Sequence, residues 1–139
     1  MRTKPILCVD FDGVIHSYAS GWKGADCIPD PPVKGALQWL WKATEWFNVQ
    51  VYSSRSKDAA GLKAMQKWML ENSRIEFAEG HPMTFADDAG EIGPFYPITF
   101  AHEKPAAFLT IDDRALCFEG DWADFDPADL LNFKPWNKK

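Results

Sequence analysis

The sequence has few cysteines and no long apolar run. Three cysteines occur among 139 residues, and none of them forms a CxxC pair. An odd number of widely spaced cysteines is typical of free thiols and predicts neither a disulfide framework nor a zinc site. The apolar runs are only a few residues long, which is too short for a membrane-spanning helix. No apolar segment of the signal-peptide type follows the N-terminal MRTKP, so we expect a cytoplasmic protein.

Basic residues are also scarce relative to acidic ones. Fifteen Lys and Arg residues stand against twenty Asp and Glu residues, which gives a formal net charge of −5 at pH 7. This balance does not support broad electrostatic binding to nucleic acid, although it allows a small basic patch. An apolar content of 46% is typical of a globular protein, and the length suits one domain over residues 1–139. Composition carries no information on the oligomeric state.

Segments with strand-like and helix-like patterns alternate along the chain. Helical spacing of apolar residues follows Pro32 and recurs over 56–72, and Asp126 with Pro127 predicts a brief last helix. Short apolar or β-branched runs are candidate strands. They span residues 6–10, 47–54, 75–80, 98–102, 106–113 and 116–120. This order predicts an α/β domain with a mainly parallel central sheet and helices on both faces.

Carboxylates cluster where two of the predicted strands end. Asp10 and Asp12 follow the first strand, and Asp112 and Asp113 end a later one. In open parallel sheets, ligands bind outside the carboxyl ends of the strands, and residues two apart on a strand face the same side. So many carboxylates repel one another unless a cation lies among them, and oxygen-only ligands favour Mg²⁺. Because Mg²⁺ commonly binds carboxylates together with a substrate phosphate, the cluster indicates phosphate chemistry.

Each of these residues alone also has a simpler interpretation. An Asp after a strand is often a turn residue, a Ser is often a helix cap, and a Lys is usually solvated. Their joint occurrence at strand ends, in order along the chain, favours a site.

Four short segments resemble, in order, the motifs of the haloacid dehalogenase (HAD) superfamily. DFDGVI (10–15) resembles motif I, and VYSSR (51–55) is similar to motif II, a strand that ends in Ser or Thr. EKP (103–105) resembles motif III, and LTIDDRA (109–115) resembles motif IV, a strand that ends in an acidic pair. The segments DFDGVIHSYASGWKGADCIPDPP, IDDRALCFEGDW and FKPWNKK further resemble small HAD-type proteins of bacteriophages and prophages. The resemblance implies a Rossmann-like fold.

The resemblance also implies roles for the motif residues. Asp10 would attack phosphorus and form an aspartyl-phosphate. Asp12 would protonate the leaving oxygen and then activate water, and a proton donor near neutral pH needs a raised pKa. Ser53 would bind a phosphoryl oxygen, and Lys104 would neutralise charge on the nucleophile and the phosphate. Gly13 would allow the sharp turn after the strand.

Metal ligands and further substrate contacts follow from the same resemblance. Mg²⁺ would be held by Asp10, by the main-chain carbonyl of Asp12 and by the acidic pair, with either Asp112 or Asp113 as the direct ligand. Either Ser53 or Ser54 would contact the phosphate. The remaining candidates for substrate contact are Gly13, His16, Tyr18, Trp22, Lys23 and Arg55. A surface role is the alternative for Arg55, and Arg55, Lys23 or Arg114 would supply positive charge if Lys104 did not reach the crevice.

The two positions at which HAD proteins carry a cap domain hold only short segments here. The first holds a flap at 14–31 and one helix, and the second holds an irregular loop at about 80–97, too short for a folded domain. We therefore expect a cap-less fold with an open crevice. The implied function is a Mg²⁺-dependent phosphohydrolase acting on a phosphomonoester of unknown identity, with a nucleotide or a nucleic-acid end as one candidate. The alternative is a non-catalytic binding or regulatory module with the same fold.

Overall fold

The central element of the fold is a parallel four-stranded sheet. The structure is a computed structural model that describes residues 3–77 and 97–138. The strands are β1 (Ile6–Val9), β2 (Asn48–Val51), β3 (Thr99–Phe100) and β4 (Leu109–Ile111), in the spatial order β3-β2-β1-β4. All three neighbouring pairs are parallel, so the prediction of an α/β fold with a parallel sheet is confirmed.

Two long helices accompany the sheet. They are α1 (Ala36–Ala43) and α2 (Ala59–Glu76). The helix α1 begins later than the Pro32 signal predicts, because Gly35 immediately before it has the left-handed φ of 80°. Asp58 caps α2 by accepting hydrogen bonds from the N–H groups of Ala60 and Gly61. A short helix, α3 (Pro127–Leu130), is capped by Asp126 as predicted, and 3₁₀ turns span Ser54–Lys57, Trp122–Asp124 and Trp136–Lys138.

The core lies on one face of the sheet. Leu7 and Val9 of β1 are in register with Val49 and Val51 of β2, so their side chains project to the same side. These residues form one buried cluster with apolar residues of α1 and α2, namely Leu37, Leu40, Ala43, Met65, Trp68 and Met69. Both of these helices therefore cover the same face, so α1 and α2 do not lie on opposite faces as expected. The physical reason is that β3 joins β4 through residues 101–108 alone, which contain no helix.

Two candidate strands are not found among the described residues. Residues 75 and 76 belong to α2, whose last residue is Glu76, and residues 78–80 lie outside the described part. Residues 116–120 are exposed and have no strand structure. The loop predicted for about 80–97 also lies outside the described residues, apart from Pro97. Among residues 3–77 and 97–138, no helix combines the length and the apolarity needed to cross a membrane.

Candidate active site

Three aspartates meet at the carboxyl edge of the sheet. The strands β1 and β4 are neighbours, and the N–H of Asp10 donates to the carbonyl of Ile111 at 3.0 Å. This pairing brings Asp10 beside Asp112 and Asp113, and one oxygen from each of the three carboxylates lies within 4.8 Å of the others. The meeting of these residues, predicted from the strand ends, is therefore present in the structure.

The electrostatics of this cluster favour a cation. Burial and, to a smaller extent, the nearby carboxylates of Asp112, Asp113 and Asp12 together raise the pKa of Asp10 to about 7. Burial and the charge of Asp112 also raise the pKa of Asp113. The Oδ1 atom of Asp113 is buried and has no hydrogen-bond partner, which is costly for a carboxylate oxygen. An oxygen-preferring cation such as Mg²⁺ would remove this cost, so the three side chains fit such an ion, and both members of the acidic pair remain candidate ligands.

Asp12 has different surroundings from Asp10. The Nε of Arg55 donates to both of its carboxylate oxygens, at 2.9 and 3.2 Å, and the Nδ1 of His16 donates at 2.9 Å. Burial by itself would raise the pKa of Asp12, but the hydrogen bonds from His16 and Arg55 and the charge of Arg55 bring it below its ordinary value. The raised pKa expected at Asp12 is therefore wrong for this structure, which places the raised pKa at Asp10. The Asp12 side chain is also outside the three-aspartate group.

Arg55 is buried completely and binds the flap to the site. Its Nη1 donates to the main-chain carbonyls of Gly24 and Ala25 at 2.8 Å and of Cys27 at 3.2 Å. Its guanidinium carbon lies 4.6 Å from the centre of the Trp22 ring. With 0% exposure, Arg55 is not a surface residue. Its contacts are to Asp12 and the flap. It therefore stabilises the site from the protein interior and does not face solvent.

His16 is likewise buried completely. Its Nε2 accepts a hydrogen bond from the N–H of Asp30 at 3.1 Å, so the proton on the other ring nitrogen points at Asp12. The ring stacks on Phe11 at 5.6 Å and meets Trp68 edge-on at 5.5 Å. The structure therefore places His16, a candidate for substrate contact, as a residue that orients Asp12.

Ser53 and Lys104 lie in a cavity that opens beside Asp10. This cavity has a volume of about 390 Å³ and also includes Ser54 and Asp112 in its lining. Residues 101–108 carry Lys104 there from the end of β3, so the short spacing to motif IV does not keep it out of the crevice. Ser53 is buried, and its Oγ accepts from the N–H of Arg55 at 3.1 Å. The helix-cap interpretation of Ser53 is therefore correct. While its Oγ accepts this bond, the hydroxyl group can still donate one hydrogen bond to another acceptor. Ser54 is exposed.

A second cavity shares some of these lining residues. Its volume is about 270 Å³. Asp10, Ser53 and Ser54 line both cavities. The second one adds Asp12, Tyr18, Trp22, Asp113 and Arg114.

The turn after β1 depends on Gly13 and on the C-terminal residues. Gly13 has φ 79°, and a Cβ atom on it would run into the carboxylate of Asp113. Its carbonyl accepts a hydrogen bond from the Nε1 of Trp136 at 2.7 Å, and the Nδ2 of Asn137 donates to the carbonyl of Ser17 at 3.1 Å. The sequence predicts no role for Trp136. The only available signal was a Trp within the polar segment FKPWNKK.

The comparisons with known proteins found no relative. No family model, no curated protein and no solved structure matches the chain. The class that the structure itself defines is an α/β protein with an acidic crevice at the carboxyl edge of its parallel sheet.

Proposed function

We propose that the chain is a Mg²⁺-dependent phosphohydrolase of the HAD type, which cleaves a phosphomonoester through an aspartyl-phosphate on Asp10. The observation that carries the proposal is the position of Asp10. It belongs both to the three-aspartate group and to the cavity lined by Ser53 and Lys104. A carboxylate that is close to a cation site and to donors for a phosphoryl group is placed for in-line attack on phosphorus.

The first step transfers the phosphoryl group to the protein. An oxygen of Asp10 forms a bond to phosphorus while the bond from phosphorus to the leaving oxygen breaks, and its electron pair stays with the leaving oxygen. The Ser53 hydroxyl and the Lys104 ammonium would bind the phosphoryl oxygens during this step. Mg²⁺ held by Asp10 with Asp112 or Asp113 would screen the charge of the nucleophile from the charge of the phosphate.

The second step releases phosphate and regenerates the carboxylate. Water attacks the phosphorus of the aspartyl-phosphate, and a base takes the proton of that water. Asp12 can take this role because Arg55 and His16 keep its pKa low, so that it is ionised near neutral pH, and the same low pKa makes it a weak base. Protonation of the leaving oxygen in the first step is the harder role for such a carboxylate. The leaving group would therefore depart most easily when it is a weak base.

Release of inorganic phosphate from an aryl phosphate tests the proposal. We expect turnover with Mg²⁺, loss of turnover with chelator, and a loss of at least about a thousandfold in Asp10→Asn, because removal of a catalytic nucleophile costs several powers of ten. The matched control is Asp129→Asn, which changes an exposed aspartate of α3 and should keep full activity. Metal-dependent turnover that survives in Asp10→Asn would overturn the assignment of the nucleophile.

One observation favours the alternative, a binding or regulatory module without turnover. Asp12 is held in its ionised form by two partners, which leaves the described residues of the site without an obvious proton donor for a basic leaving group. The two functions differ in the pattern of activity. A phosphohydrolase releases phosphate at least from aryl phosphates with weakly basic leaving groups. A module binds Mg²⁺ and phosphate, as measured by calorimetry, but releases no phosphate from any aryl phosphate.

A further inference from the structure

The two cavities that meet at Asp10 differ in character. The cavity of about 390 Å³ contains Lys104 and suits the charged phosphoryl group. The cavity of about 270 Å³ contains the aromatic rings of Tyr18 and Trp22, with the cationic Arg114 also in its lining. A substrate whose phosphorus lies at Asp10 can therefore extend into two chemically distinct spaces.

The geometry of in-line displacement decides which space receives the leaving group. The leaving oxygen departs from the side of phosphorus opposite Asp10, and the residue that exchanges protons there must be within hydrogen-bond reach. Asp12, the residue proposed to act in proton transfer, lines the aromatic cavity. Lys104 lines the other one. The organic part of the substrate thus belongs in the cavity of Tyr18 and Trp22.

The two aromatic residues are held in position by the buried part of the site. Trp22 is 49% exposed, while the guanidinium of the fully buried Arg55 lies 4.6 Å from its ring centre. Tyr18 has φ 61°, the one positive φ outside glycine in the described part of the chain, and its ring meets the buried His16 edge-on at 5.9 Å. A non-glycine residue in this conformation is unusual, and such strain concentrates at functional sites. Both rings are therefore fixed, yet accessible from the cavity.

We propose that Tyr18 and Trp22 form a stacking subsite for a nucleobase, so that the site binds a nucleotide with its phosphate at Asp10 and cleaves it more slowly than an aryl phosphate, because the leaving oxygen of a nucleotide is strongly basic. The inference rests on the proposed function and names its substrate class. A nucleobase has flat faces that stack on aromatic rings and a polar edge that suits Ser54 and Arg114 at the same cavity. The small cavity holds one base, and the net charge of −5 favours a free nucleoside monophosphate over a long nucleic-acid strand.

Binding to Asp10→Asn with Mg²⁺ present tests the subsite without turnover. Adenosine 5′-monophosphate should bind more tightly than ribose 5-phosphate, which has the same phosphoester without the base. Stacking on one aromatic ring contributes enough that Trp22→Ala should weaken nucleotide binding about tenfold and leave ribose 5-phosphate binding nearly unchanged. Trp22→Phe keeps an aromatic face and should retain most of the affinity. The matched control is Trp46→Ala, which removes a comparably exposed Trp and should change neither ligand's affinity.

The outcomes separate this inference from the proposed function. Equal binding of nucleotide and ribose 5-phosphate, or equal losses of both in Trp22→Ala, would overturn the subsite. If the wild-type protein then still hydrolyses aryl phosphate with Mg²⁺, the proposed function stands and only the subsite fails. A short 5′-phosphorylated oligonucleotide tests whether the subsite takes the terminal base of a nucleic-acid strand instead of a free nucleotide. Tighter binding than the mononucleotide, with the same dependence on Trp22, would assign the subsite to a nucleic-acid end. Preference for a phosphotyrosine peptide over both would overturn the nucleobase.

Discussion

At the scale of single residues, the site separates two aspartates that the sequence places side by side. Asp10 has only carboxylate neighbours among the charges that shift its pKa, and burial adds to their effect. Asp12 is paired with Arg55 and His16. The sequence pattern DFD predicts that both side chains face the crevice, and it does so from strand alternation alone. It could not show which of the two has a cationic partner, because Arg55 follows another strand and is brought to Asp12 only by the tertiary fold.

The raised pKa of Asp10 predicts a pH-dependent stability. Its pKa rises from 3.8 to about 7 on folding, so the folded chain holds this proton more tightly than the unfolded chain. The resulting penalty is absent below the unfolded pKa, grows as the pH rises, and is complete above pH 7. In chelator, Asp10→Asn should therefore gain unfolding free energy over the wild type, with a larger gain at about pH 8 than at about pH 4.

Urea denaturation of both proteins across this pH range measures the difference. The exposed Asp129→Asn serves as the control and should differ from the wild type by a small, constant amount. Addition of Mg²⁺ at the high end of the range should stabilise the wild type more than Asp10→Asn, because the variant lacks one charged ligand and a ligand stabilises a protein according to how tightly it binds. A gain for Asp10→Asn that shrinks with rising pH would show that the carboxylate is not destabilised as described.

At the scale of elements, the flap and the C-terminal residues are fixed by contacts that no local pattern reveals. The sequence predicts a non-helical segment at 14–31 from its Gly and Pro content, and the structure agrees. It does not reveal that Arg55 binds three flap carbonyls, since that requires knowledge of the tertiary fold. For a related reason, residues 75–77, the described part of the strand expected at 75–80, do not form a strand. Ile75 and Phe77 alternate as in a strand, but α2 continues through Ile75, which is 80% exposed, and Phe77 is buried where the helix ends.

The attachment of the flap predicts a large effect for Arg55→Lys. A lysine keeps one positive charge, but it cannot donate to both oxygens of Asp12 and also to the carbonyls of Gly24 and Ala25. Because the pair is buried, the free energy of unfolding should fall by about 3 kcal/mol. The flap should also open more often, so that trypsin cleaves after the exposed Lys23 faster than in the wild type.

Denaturant melts and mapping of the tryptic fragments check this prediction. Arg114→Lys is the matched control, since 57% of the Arg114 side chain is exposed, and it should change the unfolding free energy by less than about 1 kcal/mol. Unchanged cleavage after Lys23 in Arg55→Lys would mean that Arg55 does not hold the flap.

At the scale of the whole molecule, the sheet brings together residues that are far apart in the sequence. The order β3-β2-β1-β4 places the first strand beside the last, so that Asp10 meets Asp112 and Asp113. This arrangement follows from general rules for parallel sheets and was predictable from the strand ends. The face of the sheet that the helices cover was not predictable, because it depends on the connection from β3 to β4 through residues 101–108, which contains no helix. At the amino end of β4, the side chains of Phe108 and Leu109 remain 73% and 53% exposed.

The central claim is that Asp10 becomes phosphorylated, and mass spectrometry of the trapped protein tests it most directly. The wild type would be mixed with an aryl phosphate and Mg²⁺, quenched in acid within the first turnovers, digested and mapped. The account predicts one added phosphoryl group on the peptide that contains Asp10, absent when Mg²⁺ is chelated and absent in Asp10→Asn. Metal-dependent phosphate release with that peptide unmodified, or with the phosphoryl group on another residue, would contradict it.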